Sequence, residues 1–262
     1  MNGVTAHLRY HYHAGTWGQE SAEIVVETPI TLFINGQELV TLIATPTDVE
    51  ELISGFLAME RIITRRDQIA IYQYHQEVQQ VWVRIPNVNQ DRLEHFARPT
   101  LSGCCGRGRP SLYFANDLDL EPVPANATPH LTPEIVDALF AQLDLITRRQ
   151  HSGGLHTAGL GDRLGQLHVA RMDVGRHNAL DKVYGWSLIT QQDIRSLVVV
   201  FSGRLSSEVL IKVARMGIGI VLSNAAPTSL GIELAEALGI TTIGFVRQHE
   251  FSVYSHPHRI RN

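Results

Sequence analysis

The stretch LVVVFSGRLSSEVLIKVARMGIGIVLSNAAPTSLGIELAEALGITTIGF, residues 197–245, decides the fold. Its first five residues form a continuous apolar run, typical of a strand in a parallel sheet that is covered on both faces. The predicted elements are a strand at 197–201, a helix at about 206–216, a strand at 218–222, a helix at about 228–238 and a strand at 240–245. This β-α-β-α-β order predicts three parallel strands in an α/β fold, because such crossovers are right-handed.

Three polar loops follow the carboxyl ends of these strands: Ser202-Gly203-Arg204, Ser223-Asn224-Ala225 and Val246-Arg247-Gln248-His249. Ligands of parallel sheets bind beyond the carboxyl ends of the strands. Hydroxyls, small residues and arginines suit a ligand that carries phosphate. Ser, Gly and Asn are also common in any loop. Their coincidence at three successive strand ends favours a binding site.

Two polar segments precede this region. Residues 152–156 contain paired glycines before His156, and residues 173–182 read DVGRHNALDK. Arg176 and His177 can bind phosphate or stabilise an anion, and Asp173 can orient one of them. A charged helix start with its Asp and Lys in solvent would give a similar pattern, with His177 as a hydrogen-bonded structural histidine. Both interpretations stay open.

The only two cysteines, Cys104 and Cys105, are adjacent in the run SGCCGRGRP, residues 102–110. Adjacent Cα atoms lie about 3.8 Å apart, closer than a relaxed disulfide requires. Two nearby arginines favour the thiolate, which is the nucleophilic form of cysteine. A reactive thiol and an incidental cysteine in a glycine-rich loop are both compatible with the residues alone.

The first half of the chain predicts a smaller α+β lobe over residues 1–114, which ends in the cysteine loop at 101–110. Asn35-Gly36 predicts a hairpin within 23–43. A helix should follow, capped by Thr45 with Pro46 in its first turn. Further strands are expected at 69–74 and 78–85. Proline-rich residues 115–130 predict a linker to a second lobe at 131–262, which starts with a helix at about 132–146.

Composition narrows the function classes. A net charge of −4 over 262 residues disfavours general nucleic-acid binding. The chain contains neither an apolar run of membrane-spanning length nor a secretion signal at its start, so we expect a cytoplasmic protein without a membrane partner. Paired histidines near both termini lack neighbouring ligands at zinc spacing, and the zinc-deaminase and phosphate-loop motifs are absent. We expect no metal site.

These pieces, in this order, resemble the formate dehydrogenase accessory sulfurtransferases, the FdhD family, from about Glu27 to His258. The motifs that carry the resemblance are Glu27-Thr28-Pro29-Ile30, Asn35-Gly36, Thr45-Pro46, Gly55-Phe56-Leu57, the cysteine loop, Gly153-Gly154-Leu155-His156, Asp173 to Lys182, Ser202-Gly203-Arg204 and Ala226-Pro227-Thr228. The sequence Asp-Val-Gly-Arg-His-Asn-Ala within this set is highly specific to the family.

The resemblance implies a sulfur carrier, that is, a sulfurtransferase activity through a cysteine persulfide. A cysteine would take sulfur from a cysteine desulfurase and pass it to the molybdenum (or tungsten) bis-guanine-dinucleotide cofactor before insertion into formate dehydrogenase. That cofactor would be a carried substrate, with no permanently bound cofactor. The resemblance also implies a homodimer and a core similar to the cytidine-deaminase fold, a mixed sheet with flanking helices. A chaperone that binds the molybdenum cofactor without covalent sulfur chemistry is the alternative.

The resemblance also implies site residues. The family loop often has two cysteines spaced C-x-x-C, and the preferred alignment places Cys104 at the first and Arg107 at the second. Cys104 is therefore the expected persulfide carrier, with Cys105 as the alternative. The family's cofactor-binding stretch maps onto Phe245, Val246, Arg247, Gln248, His249 and Glu250. The residues expected to line the cofactor pocket with them are His156, Asp173, Arg176, His177, Ser202 and Arg204.

Overall fold

A computed structural model describes residues 3–89, 93, 120–124, 128–149 and 153–261. The helices within these ranges are α1 (Val49–Met59), α2 (Pro133–Arg149), α3 (Arg176–Thr190), α4 (Ser207–Arg215) and α5 (Ser229–Leu238). The strands are β1 (Val4–His13), β2 (Thr16–Val25), β3 (Thr28–Ile34), β4 (Gln37–Ala44), β5 (Ile71–His75), β6 (Gln80–Arg84), β7 (His156–Gly161), β8 (Leu167–Asp173), β9 (Val198–Phe201), β10 (Ile220–Ser223), β11 (Thr241–Arg247) and β12 (Glu250–Ser255).

The largest sheet has six strands in the order β12-β11-β10-β9-β7-β8. β9, β10 and β11 are parallel, which confirms the β-α-β-α-β prediction. β7 is antiparallel to both β9 and β8, and β12 is antiparallel to β11, so the sheet is mixed. The α/β class with flanking helices is therefore confirmed, while β7, β8 and β12 are additions to the predicted strands.

Both faces of this sheet are covered, as the apolar run at 197–201 predicts. Val199 and Phe201 of β9 pack with residues of α3, α4 and α5. Val198 and Val200, which point to the opposite face, pack with residues of α2. Alternate side chains of one strand thus belong to two different core clusters, because successive side chains of a strand point to opposite faces.

The N-terminal α+β unit is a four-stranded sheet, ordered β4-β3-β6-β5, with α1 packed on one face. The β3–β4 hairpin turns at Asn35 and Gly36, both with positive φ, as predicted for Asn-Gly. α1 begins at Val49 with Asp48 preceding it, so the prediction that Thr45 caps this helix is wrong. Thr45 instead bonds to residues of the larger sheet, as described below.

α1 packs directly on α3, and this contact joins the two sheets. Gly55 of α1 lies against the backbone of Asp181, and Gly185 of α3 lies against the backbone of Glu51. A Cβ at either glycine would overlap with backbone atoms of the other helix. Arg171 of β8 strengthens the contact through two hydrogen bonds to the Glu51 carboxylate, at 2.5 and 2.7 Å.

β1 and β2 form a separate two-stranded ribbon with full pairing from Val4↔Val25 to His13↔Thr16. One of its faces carries the exposed side chains of Leu8, Tyr10, Tyr12 and Trp17.

The segment that the sequence predicts as a linker is described in part. Val123 is buried, and its N–H donates to Leu238 O at 2.9 Å. The lobe boundaries themselves stay a prediction. In the described part of the chain, none of the helices is long and apolar enough to cross a membrane.

Candidate functional site

The predicted loops lie together at one edge of the six-stranded sheet. The carboxyl ends of β9, β10 and β11 meet there because these strands are parallel. The start of β7 and the end of β8 reach the same edge because each of these strands runs antiparallel to its neighbour. We call this region the strand-end edge, defined by residues 156, 173–177, 202–208, 223–225 and 245–250.

A fully buried ion pair holds one side of the strand-end edge. Lys182 Nζ lies 2.8 Å from Asp173 Oδ2, and neither side chain is exposed to solvent. The ammonium group also donates to the backbone oxygens of Thr45 (3.1 Å) and Met172 (3.0 Å). Charges are buried in proteins only when they are paired and hydrogen-bonded, and Lys182 meets both conditions.

The Asp173 carboxylate is surrounded by donors. Oδ1 accepts from Gly175 N (2.8 Å) and Asn178 Nδ2 (3.0 Å), and Oδ2 accepts from Thr45 N (3.1 Å). Asp173 therefore fixes the start of α3 and ties the end of β4 to the strand-end edge. The cofactor-binding role that the sequence suggests for Asp173 stays a prediction.

The alternative in which the Asp and Lys of residues 173–182 lie in solvent is wrong. Asp181 and Lys182 are both fully buried. Asp181 pairs with Lys212 of α4, which is also buried. Lys182 and Lys212 are the only lysines of the chain, and each forms a buried pair with an aspartate.

The first turns of α3 and α4 meet beside the end of β9. His177 Nε2 lies 2.7 Å from Glu208 Oε2, and both side chains are largely buried. Burial lowers the pKa of Arg176, Glu208 raises it and Arg204 lowers it further, so these three charges share one neighbourhood. The structure thus brings together Arg176, His177 and Arg204 as predicted, and adds Glu208.

His156 lies next to this cluster. Its Nδ1 is close to Gly203, since a Cβ at Gly203 would lie 3.5 Å from it. Burial lowers the pKa of His156 below its usual 6.5, although the charge of Asp173 opposes this shift. Ser202 Oγ accepts from Thr157 N at 2.8 Å, which fixes the loop after β9 to the start of β7.

The C-terminal part of the strand-end edge borders a cavity of about 800 Å³ between α2 and the β11–β12 turn. Val246, Arg247, Gln248 and His249 form one wall, and Asn224 contributes from the loop after β10. The residues of α2 that form the facing wall are Asp137, Ala138, Phe140, Ala141, Asp144 and Arg148. This volume is within the range of small-molecule sites.

Two members of the predicted C-terminal stretch are not part of the lining of this cavity. Phe245 has a positive φ of 55° and lies 6.5 Å from the Tyr254 ring, and Glu250 starts β12. Cys104 and Cys105 lie outside the described residues. No cluster of three or more potential metal ligands occurs in the ranges that the structure describes.

The comparisons with known proteins identify the family. The model of the FdhD/NarQ family matches residues 25–261, which is most of the chain. The chain belongs to the FdhD/NarQ family. Proteins named "Sulfur carrier protein FdhD" are similar to it over nearly their whole length. The Bacillus subtilis protein is 39% identical over 264 residues, all of both chains, and the Bacillus pumilus protein is 38% identical over 96% of this chain and 95% of its own.

A solved structure supports the fold of this family member. The crystal structure of a protein described as a formate dehydrogenase accessory protein, from Desulfotalea psychrophila, superposes with a TM-score of 0.78. It covers 98% of this chain and 99% of its own, at 24% sequence identity. At that identity the similarity concerns the fold.

Sequence reasoning missed three parts of the site in this FdhD/NarQ chain. Thr45 was expected as a helix cap, but it bonds to Asp173 and Lys182 from a distant part of the chain. Glu208 is an ordinary acidic residue of a first helical turn, and only its distance from His177 reveals it. The residues of α2 that line the cavity were not predicted, because their polar members have the pattern of the solvent-exposed face of an amphipathic helix. The shortage of lysines was a usable signal, since Lys182 then stands out among many arginines.

Proposed function

We propose that this protein is a sulfur carrier that supports a formate dehydrogenase. The observation that carries the proposal is its 38–39% identity, over almost the whole chain, to proteins named sulfur carriers. The described fold, which matches a protein described as a formate dehydrogenase accessory protein, is consistent with the same role. The work would take place in the cytoplasm, where thiols stay reduced.

The proposed sulfur carrier is Cys104. Its thiolate attacks the outer sulfur of a cysteine persulfide on a cysteine desulfurase, as in thiol–disulfide exchange. A bond forms between Cys104 Sγ and that sulfur, the original S–S bond breaks, and the desulfurase cysteine leaves as a thiolate. The step needs no external oxidant, because the transferred sulfur is already at the oxidation level of a persulfide. Arg107 and Arg109 would favour the attacking thiolate.

The proposed cargo is the molybdenum bis-guanine-dinucleotide cofactor, which would receive sulfur before its insertion into formate dehydrogenase. The strand-end edge suits such a cargo, because Arg176, Arg204 and Arg247 can bind phosphates there. The first turn of α3 adds backbone N–H groups at the positive end of a helix dipole. The protein itself is expected to act as a homodimer, which light scattering on the purified chain would test.

Complementation distinguishes a sulfur carrier from a chaperone that only binds the cofactor. The wild-type gene is expressed in bacteria that lack their own family member, and formate dehydrogenase activity is measured in extracts. We expect Cys104→Ala to abolish the restored activity and Cys105→Ala to keep most of it, because only Cys104 is proposed to carry sulfur.

The double variant Cys104→Ala/Cys105→Ala, which has no cysteine, is the clearest test of whether the function needs covalent sulfur transfer. If a chain without cysteine restores formate dehydrogenase activity, covalent sulfur transfer is not its function, and the cofactor-binding chaperone replaces our proposal. Immunoblots of the same extracts show that each variant accumulates to the same level.

A further inference from the structure

The β1–β2 ribbon projects from the body of the protein. β1 and β2 pair with each other and with no other described strand. The base of the ribbon contacts the body, since Gly3 lies against Thr45 and Val25 lies against Gly154. Each strand has 10 residues, which makes the ribbon about 30 Å long. Because an isolated two-stranded ribbon is only marginally stable in water, this ribbon needs a further surface to pack on.

The two faces of the ribbon differ in polarity. Residues that are paired directly across antiparallel strands have their side chains on the same face. One face carries Arg9, which pairs with Glu20 at 2.6 Å, together with histidines. An antiparallel sheet with this alternation packs its apolar face on a core and leaves its polar face in water. The side chains that form the apolar face of the ribbon are those of Leu8, Tyr10, Tyr12 and Trp17.

This apolar face is open to solvent. The exposed fractions are 53% for Leu8, 71% for Tyr10, 59% for Tyr12 and 70% for Trp17. The rings of Tyr12 and Trp17 lie 5.3 Å apart between centroids, so the patch is continuous across the two strands. Contiguous exposed apolar patches on soluble proteins mark interaction sites. The ribbon therefore has the composition of an interface.

The size of the apolar face matches a contact between two copies of this chain. A fully buried aromatic side chain covers about 150–250 Å², so covering the four side chains from their present exposure removes roughly 500 Å². Two ribbons packed on each other bury roughly 1,000 Å² in total, less than the 1,200–2,000 Å² of a stable interface. Two ribbons that each lie on the body of the other copy also bury the surface beneath them, which brings the total to roughly 2,000 Å².

A second copy also meets the need for a permanent cover. A partner that binds only for a short time would leave a marginally stable ribbon with its aromatic side chains in water for most of its life. Another copy of the chain is present wherever the chain is made. In a symmetric pair each copy gives one ribbon and receives one, so the same contact forms twice.

We propose that the β1–β2 ribbon is the dimerisation element of this protein, and that its apolar face packs on the body of a second copy. The polar face, with the Arg9–Glu20 pair, stays in water. The inference rests on the homodimer of the proposed function, and it adds the surface through which the two copies associate.

Sedimentation equilibrium of the full-length protein tests this assignment. The wild type is expected to sediment as a dimer. The double variant Tyr10→Thr/Tyr12→Thr removes two rings from the apolar face and keeps residues that favour strands. Because aromatic side chains at the centre of an interface contribute most of its stability, we expect the dimer dissociation constant to rise by about 100-fold or more.

The matched control is His11→Thr/His13→Thr, which changes neighbouring positions of the same strand on the polar face. Its dissociation constant should stay within about threefold of the wild-type value, because exposed substitutions outside a contact change free energies little. A wild type that sediments as a monomer would overturn the proposal. A dimer that both double variants leave equally strong would also overturn it, since the contact would then lie elsewhere.

Fluorescence quenching by acrylamide is a second measurement, and it leaves the interface intact. The contribution of Trp17 is obtained by subtracting the signal of the Trp17→Phe variant. Trp17 is 70% exposed in a single copy, so we expect it to be protected from acrylamide in the dimer. Quenching of Trp17 as strong as that of free tryptophan, in a protein that sediments as a dimer, would refute the ribbon contact.

The ribbon contact and the sulfur carrier fail separately. Sulfur loading of the wild-type protein by a cysteine desulfurase is measured in parallel by intact mass. A monomeric wild type that takes up sulfur would refute the ribbon contact and leave the sulfur carrier in place. A dimer that Tyr10→Thr/Tyr12→Thr dissociates, without sulfur loading of the wild type, would keep the ribbon contact and refute the carrier.

Discussion

At the residue scale, the buried lysine of α3 and its aspartate partner hold the strand-end edge together. The Lys182 ammonium group contacts the Asp173 carboxylate and also donates to the backbone oxygens of Thr45, after β4, and Met172, near the end of β8. Such a pair offsets the large cost of removing two charges from water only while both partners are present. The sequence placed Asp173 and Lys182 in one polar segment, but it could not show that they are buried, because their partner Thr45 is remote in the chain.

Replacing Lys182 with Met should therefore destabilise the protein strongly. The change keeps an extended side chain but leaves the Asp173 carboxylate buried without its cation. We expect a loss of about 3–5 kcal/mol in the free energy of unfolding, measured by urea denaturation.

The double variant Lys182→Met/Asp173→Asn serves as the control, since it removes both charges, and it should recover part of this loss. A loss below about 1 kcal/mol in the single variant, as for an exposed ion pair, would show that the pair is not buried in solution.

His156 makes the stability of the edge depend on pH. Burial lowers its folded-state pKa below the unfolded value of 6.5, so the unfolded chain binds the proton more tightly. Protonation of His156 therefore does not reduce the free energy of unfolding above pH 6.5. As the pH falls from 6.5 through the folded-state pKa, the free energy of unfolding decreases. His156→Gln should flatten this part of the profile, which urea denaturation between pH 5 and pH 8 would measure. An identical slope in both proteins would argue against a half-buried His156.

At the element scale, prediction succeeded where neighbouring elements in sequence are neighbours in space. The three parallel strands and the two helices between them follow from apolar runs and glycine stops within residues 197–245. β7, β8 and β12 were missed because they are the antiparallel strands of the mixed sheet, and no apolar run or crossover pattern in the sequence indicates their pairing. The β1–β2 ribbon was also missed, although Ala6, Leu8, Tyr10 and Tyr12 alternate with polar residues in the manner of a strand.

The close contact of α1 and α3 gives a prediction at this scale. Gly55→Ala adds a methyl group where the backbone of Asp181 already lies, so the two helices must separate. We expect a loss of about 3 kcal/mol or more in the free energy of unfolding, since overpacking against backbone cannot relax easily.

Ser54→Ala is the matched control on the same helix. Ser54 Oγ is buried and has no hydrogen-bond partner among the described residues, so its removal should be neutral or stabilise by up to about 1 kcal/mol. If Gly55→Ala were as mild as Ser54→Ala, the tight packing of α1 on α3 would be refuted.

At the scale of the whole molecule, one sheet edge gathers the groups that the sequence distributes over five segments. Arg204 and Arg247 were predicted from the loops after the strands, and His156, Arg176 and His177 from polar segments and the family resemblance. The mixed sheet places all five along the same edge. Glu208 and the α2 wall could not be predicted, because they depend on how helices dock across the sheet. The function required more than the fold, since the sulfur-carrier role comes from resemblance and from the names of similar proteins.

The central claim is that Cys104 carries a sulfur atom, and the intact mass of the protein tests it most directly. The wild-type protein, Cys104→Ala and Cys105→Ala are each incubated with a cysteine desulfurase and cysteine, and weighed before and after treatment with a reductant. Our account predicts one added sulfur atom, removed by the reductant, on the wild type and on Cys105→Ala, and none on Cys104→Ala. Undiminished loading of Cys104→Ala, or no added sulfur on the wild type, would contradict it.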